Sequence, residues 1–233
     1  MKLLQLLAPY NIKDSDSLVR LGRNGDGGYI LTVDTIKNID RCYSYGIANE
    51  TSFEECLAKS NSNIEFHLYD HTVDYSPRMP KAAFHKEGLA GSKIKDCNSF
   101  WSHLDDNGDT SREILLKLDC EGAEYDFFLS SNFERFASLH SMIIEFHDIG
   151  KRTNDFKYII DSLNKYFHII HLHQNGYGGF SNIDGNSIGN VIEITFLNRG
   201  IYRDLKPKAV KYPIAGLDFA NCAGIDHQLS FEF

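Results

Sequence analysis

Three pairs of residues in this 233-residue chain are spaced to act together. Asp119 and Glu121 follow the apolar run at 113–118. Glu145 and His147 close the run at 141–146, and His171 and His173 close a later one that starts at 167. In an extended strand, residues i and i+2 project from one face, so each pair can point into a single pocket. Carboxylates beside imidazoles support two kinds of chemistry. Asp119, Glu145 or His147 can act as a general base that takes the proton from a weak nucleophile such as a hydroxyl. Alternatively, Asp119, His147 and His173 make a two-histidine, one-carboxylate set suited to a divalent ion (iron, manganese or magnesium) that acidifies the oxygen it binds. The chain has ten histidines, so the competing reading is that strand-end histidines only hydrogen-bond to loops. Glu121 and Glu124 open a helix, where they favour its positive N-terminus.

A second constellation lies upstream. The segment 41–46 (RCYSYG) reads as a strand ending at Gly46. A helix follows over 51–60, with Phe53, Cys56 and Leu57 on one stripe, and then a strand over 64–69 ending at Asp70. In open parallel sheets, ligands bind at the carboxyl ends of the strands where the strand order reverses. A glycine turn there admits a ligand to the backbone, and an acid about 20 residues on holds ribose hydroxyls. Asp70 stands 24 positions after Gly46. The turn Ser44-Tyr45-Gly46-Ile47-Ala48-Asn49-Glu50 carries one glycine, not the three of a dinucleotide fingerprint. A pyrophosphate has less room at such a turn, whereas S-adenosylmethionine has no pyrophosphate. An NAD-linked, sugar-modifying oxidoreductase is the alternative enzyme, and a non-catalytic binding module on the same fold is the third reading.

Four segments, RNGDGGYIL, YSYGIANETSFE, HLYDHT and LKLDCEGAEYDFF, together resemble the FkbM-type class I methyltransferases, in the branch with a DGGY element. The most specific is the strand ending Lys117-Leu118-Asp119-Cys120-Glu121-Gly122-Ala123-Glu124. The resemblance spans about 20–198. It implies a Rossmann-like fold and transfer of a methyl group from S-adenosylmethionine to a hydroxyl of a small acceptor, a sugar or sugar nucleotide, as in surface-polysaccharide biosynthesis. It also implies residue roles. Tyr45 and Gly46 bring the cofactor's amino-acid part to the backbone, with Asn49, Glu50 and Thr51 beside it. Asp70 takes the ribose hydroxyls, and Asp119 lies by the transferring methyl. Asp26 and Gly27, in the turn Arg23–Tyr29, read either as a lid over cofactor or acceptor or as a plain glycine turn.

The formal net charge of −8 argues against a nucleic-acid partner, since a phosphate backbone would be repelled. Five cysteines with no C-x-x-C pair, no secretory leader and no long apolar run point to a reducing cytoplasm and to no membrane span.

The elements that must position these residues follow a strand–helix alternation, which argues for an α/β fold: a mostly parallel, seven-stranded sheet with helices on both faces and an antiparallel strand at its end. Residues 1–233 read as one domain: N-terminal helices and the DGGY cap over 1–40, an α/β core over 41–198 and a packed tail over 199–233. Residues 2–22 are expected to hold one or two short helices, the second capped by Asp14 or Ser15. Strands are expected over 29–33, 81–85, 113–118, 141–146, 167–172 and 191–197, and helices over 98–104, 123–129, 133–137 and 156–166. The Gly/Asn-rich stretch 174–190 is expected to be a long loop, which reads either as a cover that sets acceptor specificity or as a mobile surface loop. In the tail, Leu217, Phe219, Leu229, Phe231 and Phe233 need burial.

Overall fold

A computed structural model of the protein describes residues 1–222 and 231–233. The apolar runs become the middle of one seven-stranded sheet. Its strands are β3 (Arg41–Tyr45), β4 (Glu65–Tyr69), β5 (Ala82–His85), β6 (Ile114–Asp119), β7 (Ser141–Phe146), β8 (Phe167–Ile183) and β9 (Asn186–Asn198), after a separate hairpin of β1 (Leu18–Gly22) and β2 (Gly28–Thr32). The spatial order is β8-β9-β7-β6-β3-β4-β5. Strands β5, β4, β3, β6 and β7 pair in parallel, while β9 runs antiparallel to both neighbours. The antiparallel strand is therefore next to the edge, with β8 outside it. This is the mostly parallel, Rossmann-like arrangement the strand–helix alternation predicts.

Helices cover both faces because the strands alternate. Leu116, Leu118, Met142, Ile144 and Phe146 pack with the apolar faces of α4 (Phe100–Asn107), α5 (Ala123–Ser130) and α6 (Thr153–Leu163), and with α1 (Leu3–Leu6). Leu115 and Ile143 pack on the opposite face, with α2 (Val33–Asn38), α3 (Ser52–Ser60) and the β1–β2 hairpin. Lys117, Asp119 and Glu145 share the parity of that second face. They are polar where the alternation calls for apolar side chains, and there the sheet stops being core and becomes site.

Three expected elements take another form. No second helix lies within 2–22; Leu18–Gly22 is a strand paired with β2, and Asp14 and Ser15 cap nothing. The Val19/Leu21 alternation, with Gly22 opposite Gly28, forms a hairpin. The stretch 174–190 is not an open loop. β8 and β9 continue through it, bulge between Asn175 and Phe180, and turn at Asp184-Gly185. Both turn residues have positive φ (55° and 86°), as a two-residue hairpin turn demands. Phe133–Ser138 is a 3-10 helix. In the tail, Tyr212 is buried, and Val210, Ile214 and Phe233 pack against the main core. Leu217 and Phe219 are half-buried. Leu229 and the side chain of Phe231 lie outside the described residues. Among the described residues, no helix is long and apolar enough to cross a membrane.

Two histidines are buried as neutral rings. His140 is 2% exposed, and its Nδ1 has no partner; burial pushes its pKa down to about 4. Burial, with Arg199 nearby, does the same to His168. Unfolded, each takes up a proton near pH 6.5, but folded only near pH 4. Between these values the unfolded chain binds more protons. The stabilisation is therefore complete above pH 6.5 and is lost as the pH falls toward 4. Urea unfolding should show His140 alone weakening the fold by on the order of 2 kcal/mol between about pH 7.5 and about pH 4.5. His140→Gln should remove that part of the slope; an unchanged slope would show that the ring is not held neutral.

Candidate active site

The carboxyl ends of β3, β4, β6 and β7 open into one cavity of about 690 Å³, roofed by the β1–β2 turn and walled on one side by the long β8–β9 hairpin. It sits where the strand order reverses, between β3 and β6, the place at which open α/β sheets bind ligands.

Gly46 makes that end of the sheet possible. Its φ is +74°, and a Cβ on it would lie 1.6 Å from the carbonyl oxygen of Asp119. Only glycine lets the ends of β3 and β6 come this close. Asp70, at the end of β4, accepts from the Ala48 amide (2.8 Å) through Oδ2 and from the Thr72 amide and hydroxyl (2.8 and 2.6 Å) through Oδ1. Burial raises its pKa, but these donors outweigh burial and hold the carboxyl below the usual range. Asp70 is thus an ionised acid fixed in place at the cavity wall.

The acids follow from strand register. Asp119 on β6 stands opposite Glu145 on β7, Glu145 opposite Glu193 on β9, and Glu193 opposite His173 on β8. The four form one row across the sheet. Asp119 Oδ2 accepts from the Tyr29 hydroxyl (2.8 Å), and Glu145 Oε1 accepts from Asn175 Nδ2 (3.1 Å). Desolvation, then the charges of Asp119, Glu193 and Asp26, push Glu145 well above the usual carboxylate range. His147 turns its Nε2 toward Asp119 Oδ1 (3.7 Å) and Glu145 Oε1 (3.6 Å). Its Nδ1 and its backbone amide both donate to Glu124 Oε1 (3.1 and 2.8 Å). Burial opposes the imidazolium, but Glu124, Asp119 and Glu121 outweigh it and hold His147 above the ordinary imidazole range.

The roof comes from the hairpin turn. Arg20 donates to the carbonyls of Arg23 (2.9 Å) and Gly25 (2.5 Å), and Gly28 is packed so closely that a Cβ would sit 2.0 Å from the Arg23 carbonyl oxygen. Arg23 Nη1 reaches Glu50 Oε2 (2.5 Å), while Glu50 Oε1 accepts from the Ser52 amide (2.7 Å). Asp26 sits at the rim; partial desolvation and the charges of Asp119 and Glu193 raise its pKa.

The backbone is strained at the same place. Ala48, Glu121 and Asp148, with φ of 44°, 52° and 49°, lie just beyond β3, β6 and β7 and all face the cavity. Left-handed non-glycine residues cost energy and gather at functional sites.

Of the residues predicted to meet the cofactor, Asp26, Gly27, Gly46, Glu50, Asp70 and Asp119 line the cavity, as do the catalytic candidates Glu145 and His147. Tyr45, Asn49 and Thr51 do not. Tyr45 points to the far face and bonds His103 Nδ1 (2.8 Å), because the strand alternation that turns the buried Ser44 toward Glu54 turns its neighbour to the opposite side of the sheet. Asn49 is exposed, and the Thr51 hydroxyl is 2.6 Å from that of Tyr75. The predicted metal set is also corrected. His173 shares the face of Asp119, but β9 lies between, and its Nδ1 pairs with Glu193 (3.3 Å). The residues that converge are Asp119, Glu145 and His147. The sequence reading missed Glu124 as a buried anchor, along with Tyr29 and Asn175. The second glutamate of the E-G-x-E segment was the only available signal for Glu124.

An acid-rich cavity at the switch point of a parallel sheet, with a glycine turn on one side and a fixed acid on the next strand, is the place where an α/β fold takes a ligand. The methyltransferase FkbM domain family matches residues 9–177, and the chain belongs to that family. Among solved structures, the chain is similar to the methyltransferase FkbM from Methylobacillus flagellatus KT (TM-score 0.41, 13% identity, 67% of this chain and 43% of that one). It therefore spans less than half of that protein. It is also similar to a fibrillarin/Nop5p complex (TM-score 0.41, 11% identity, 82% of this chain and 98% of that one). A third likeness is to the Methanococcus jannaschii fibrillarin pre-rRNA processing protein (TM-score 0.39, 10% identity, 82% and 88%). No curated protein matches.

Proposed function

We propose that the protein transfers a methyl group from S-adenosylmethionine to a hydroxyl of a sugar or sugar nucleotide, in surface-polysaccharide biosynthesis. The observation that carries this reading is that Gly46, Asp70 and Asp119 end neighbouring parallel strands around one cavity. The residues fit the cofactor: Asp70 suits ribose hydroxyls, the Gly46 turn admits an amino-acid moiety, and the ring of acids suits a cationic sulfonium. When bound, the cofactor supplies an electrophilic methyl on sulfur. Asp119 and His147 then face the acceptor oxygen. Tyr177, 71% exposed on the hairpin at the cavity's edge, offers a flat face for a sugar ring. The acidic cavity and the net charge of −8 favour a small acceptor over a nucleic acid. Calorimetric titration with S-adenosylhomocysteine is expected to show one site of micromolar affinity, weakened at least about tenfold by Asp70→Ala. No binding at millimolar ligand would end the reading.

A further inference from the structure

We infer that Asp119, Glu145 and His147 form a binding site for a borderline divalent cation such as Mn²⁺, with its remaining coordination positions open to an acceptor oxygen. The role of the ion rests on the methyl-transfer reading above; the site itself does not. One ligand atom from each of the three side chains lies within 4.8 Å of the others. What sets them apart from an ordinary acidic cluster is how their other atoms are used. Asp119 Oδ2 is held by Tyr29, Glu145 Oε1 by Asn175, and His147 Nδ1 by Glu124. Each side chain is thus anchored through one atom and presents another. His147 presents Nε2 and Asp119 presents Oδ1, 3.7 Å apart.

Glu145 supplies the independent observation. It is 4% exposed, faces the cavity, and its Oε2 has no hydrogen-bond partner. A buried carboxyl oxygen without a partner is costly, and a cation bound between the three groups would both satisfy it and offset the neighbouring acids. The Glu124–His147 contact is the outer carboxylate–imidazole pairing that orients a metal-bound histidine. Two carboxylate oxygens and one imidazole suit manganese or iron better than a thiolate-seeking ion.

With a sugar hydroxyl on an open position, the ion makes that oxygen more acidic. The O–H proton leaves to water, and the new oxygen–methyl bond forms as the methyl–sulfur bond breaks. The electron pair of that bond stays on sulfur, which departs as a neutral thioether.

Chelator-treated protein titrated with Mn²⁺ and followed by electron paramagnetic resonance should take up one equivalent with micromolar affinity. Asp119→Asn, Glu145→Gln and His147→Gln should each weaken uptake at least about tenfold, as should Glu124→Gln through the orientation of His147. His173→Gln should not. Wild-type protein that leaves the free-ion signal intact at millimolar Mn²⁺ overturns the site, as does uptake unaffected by the three ligand substitutions. The wild-type titration decides even if a variant fails to fold. S-Adenosylhomocysteine binding in EDTA separates the two ideas. Cofactor binding without Mn²⁺ uptake sinks the metal site and keeps methyl transfer; Mn²⁺ uptake without cofactor binding does the reverse.

Discussion

Gly46→Ala should destabilise the protein by more than about 4 kcal/mol and abolish cofactor binding, because two penalties fall on one atom. Alanine at a φ of +74° costs roughly 1–2 kcal/mol in any setting. The added methyl carbon would also sit 1.6 Å from the Asp119 carbonyl oxygen, and this neighbour is backbone. The strain can be relieved only by parting β3 from β6 where the cavity begins. Gly185→Ala is the matched control. Gly185 also has a positive φ, +86°, but nothing lies within 4 Å of its Cβ position, so only the dihedral penalty of about 1–2 kcal/mol applies. Urea unfolding of both variants separates the terms. Equal losses would mean that the strand ends are not in the contact described.

Asp119→Asn should lower kcat by about 10³-fold, within the range general acid–base groups contribute, while leaving the fold intact. Asparagine keeps the shape and an oxygen for the Tyr29 hydroxyl. What it removes is the negative charge that faces His147 at 3.7 Å in the cavity. Steady-state methyl transfer to an accepted substrate, with thermal unfolding as the control, measures this. A loss below tenfold would place the reacting oxygen elsewhere.

Much of this was readable from residue order. The strands that became β3, β4, β6 and β7 are apolar runs ended by a glycine or an acid, and such punctuation survives folding because these strands are buried on both sides. Gly46, Asp70, Asp119, Glu145 and His147, singled out this way, line one cavity. Tyr45 was set on the wrong face because all five residues of 41–45 are buried, so composition does not show which face each takes. His173 was misplaced for a different reason: the spacing of i and i+2 gives the face of a strand but not its position in the sheet, and β9 inserts between β7 and β8. The 174–190 hairpin was hidden by its glycines and asparagines, although the pair Asp184-Gly185 was the turn signal within it. Glu124 could not be found from periodicity, because a buried acid on a helix is recognisable only once its partners, the amides of Gly122 and His147, are in place.

Arg20 also donates to the carbonyl of Leu217, at 3.2 Å. One guanidinium therefore clamps the roof over the cavity and, with its third arm, a segment almost two hundred positions later in the chain. The roof rests on a distant stretch of backbone as an arch rests on its abutment. Proteolytic nicking near 217, far in sequence from the residues at the strand ends below, would be felt first as a slackened ceiling above them.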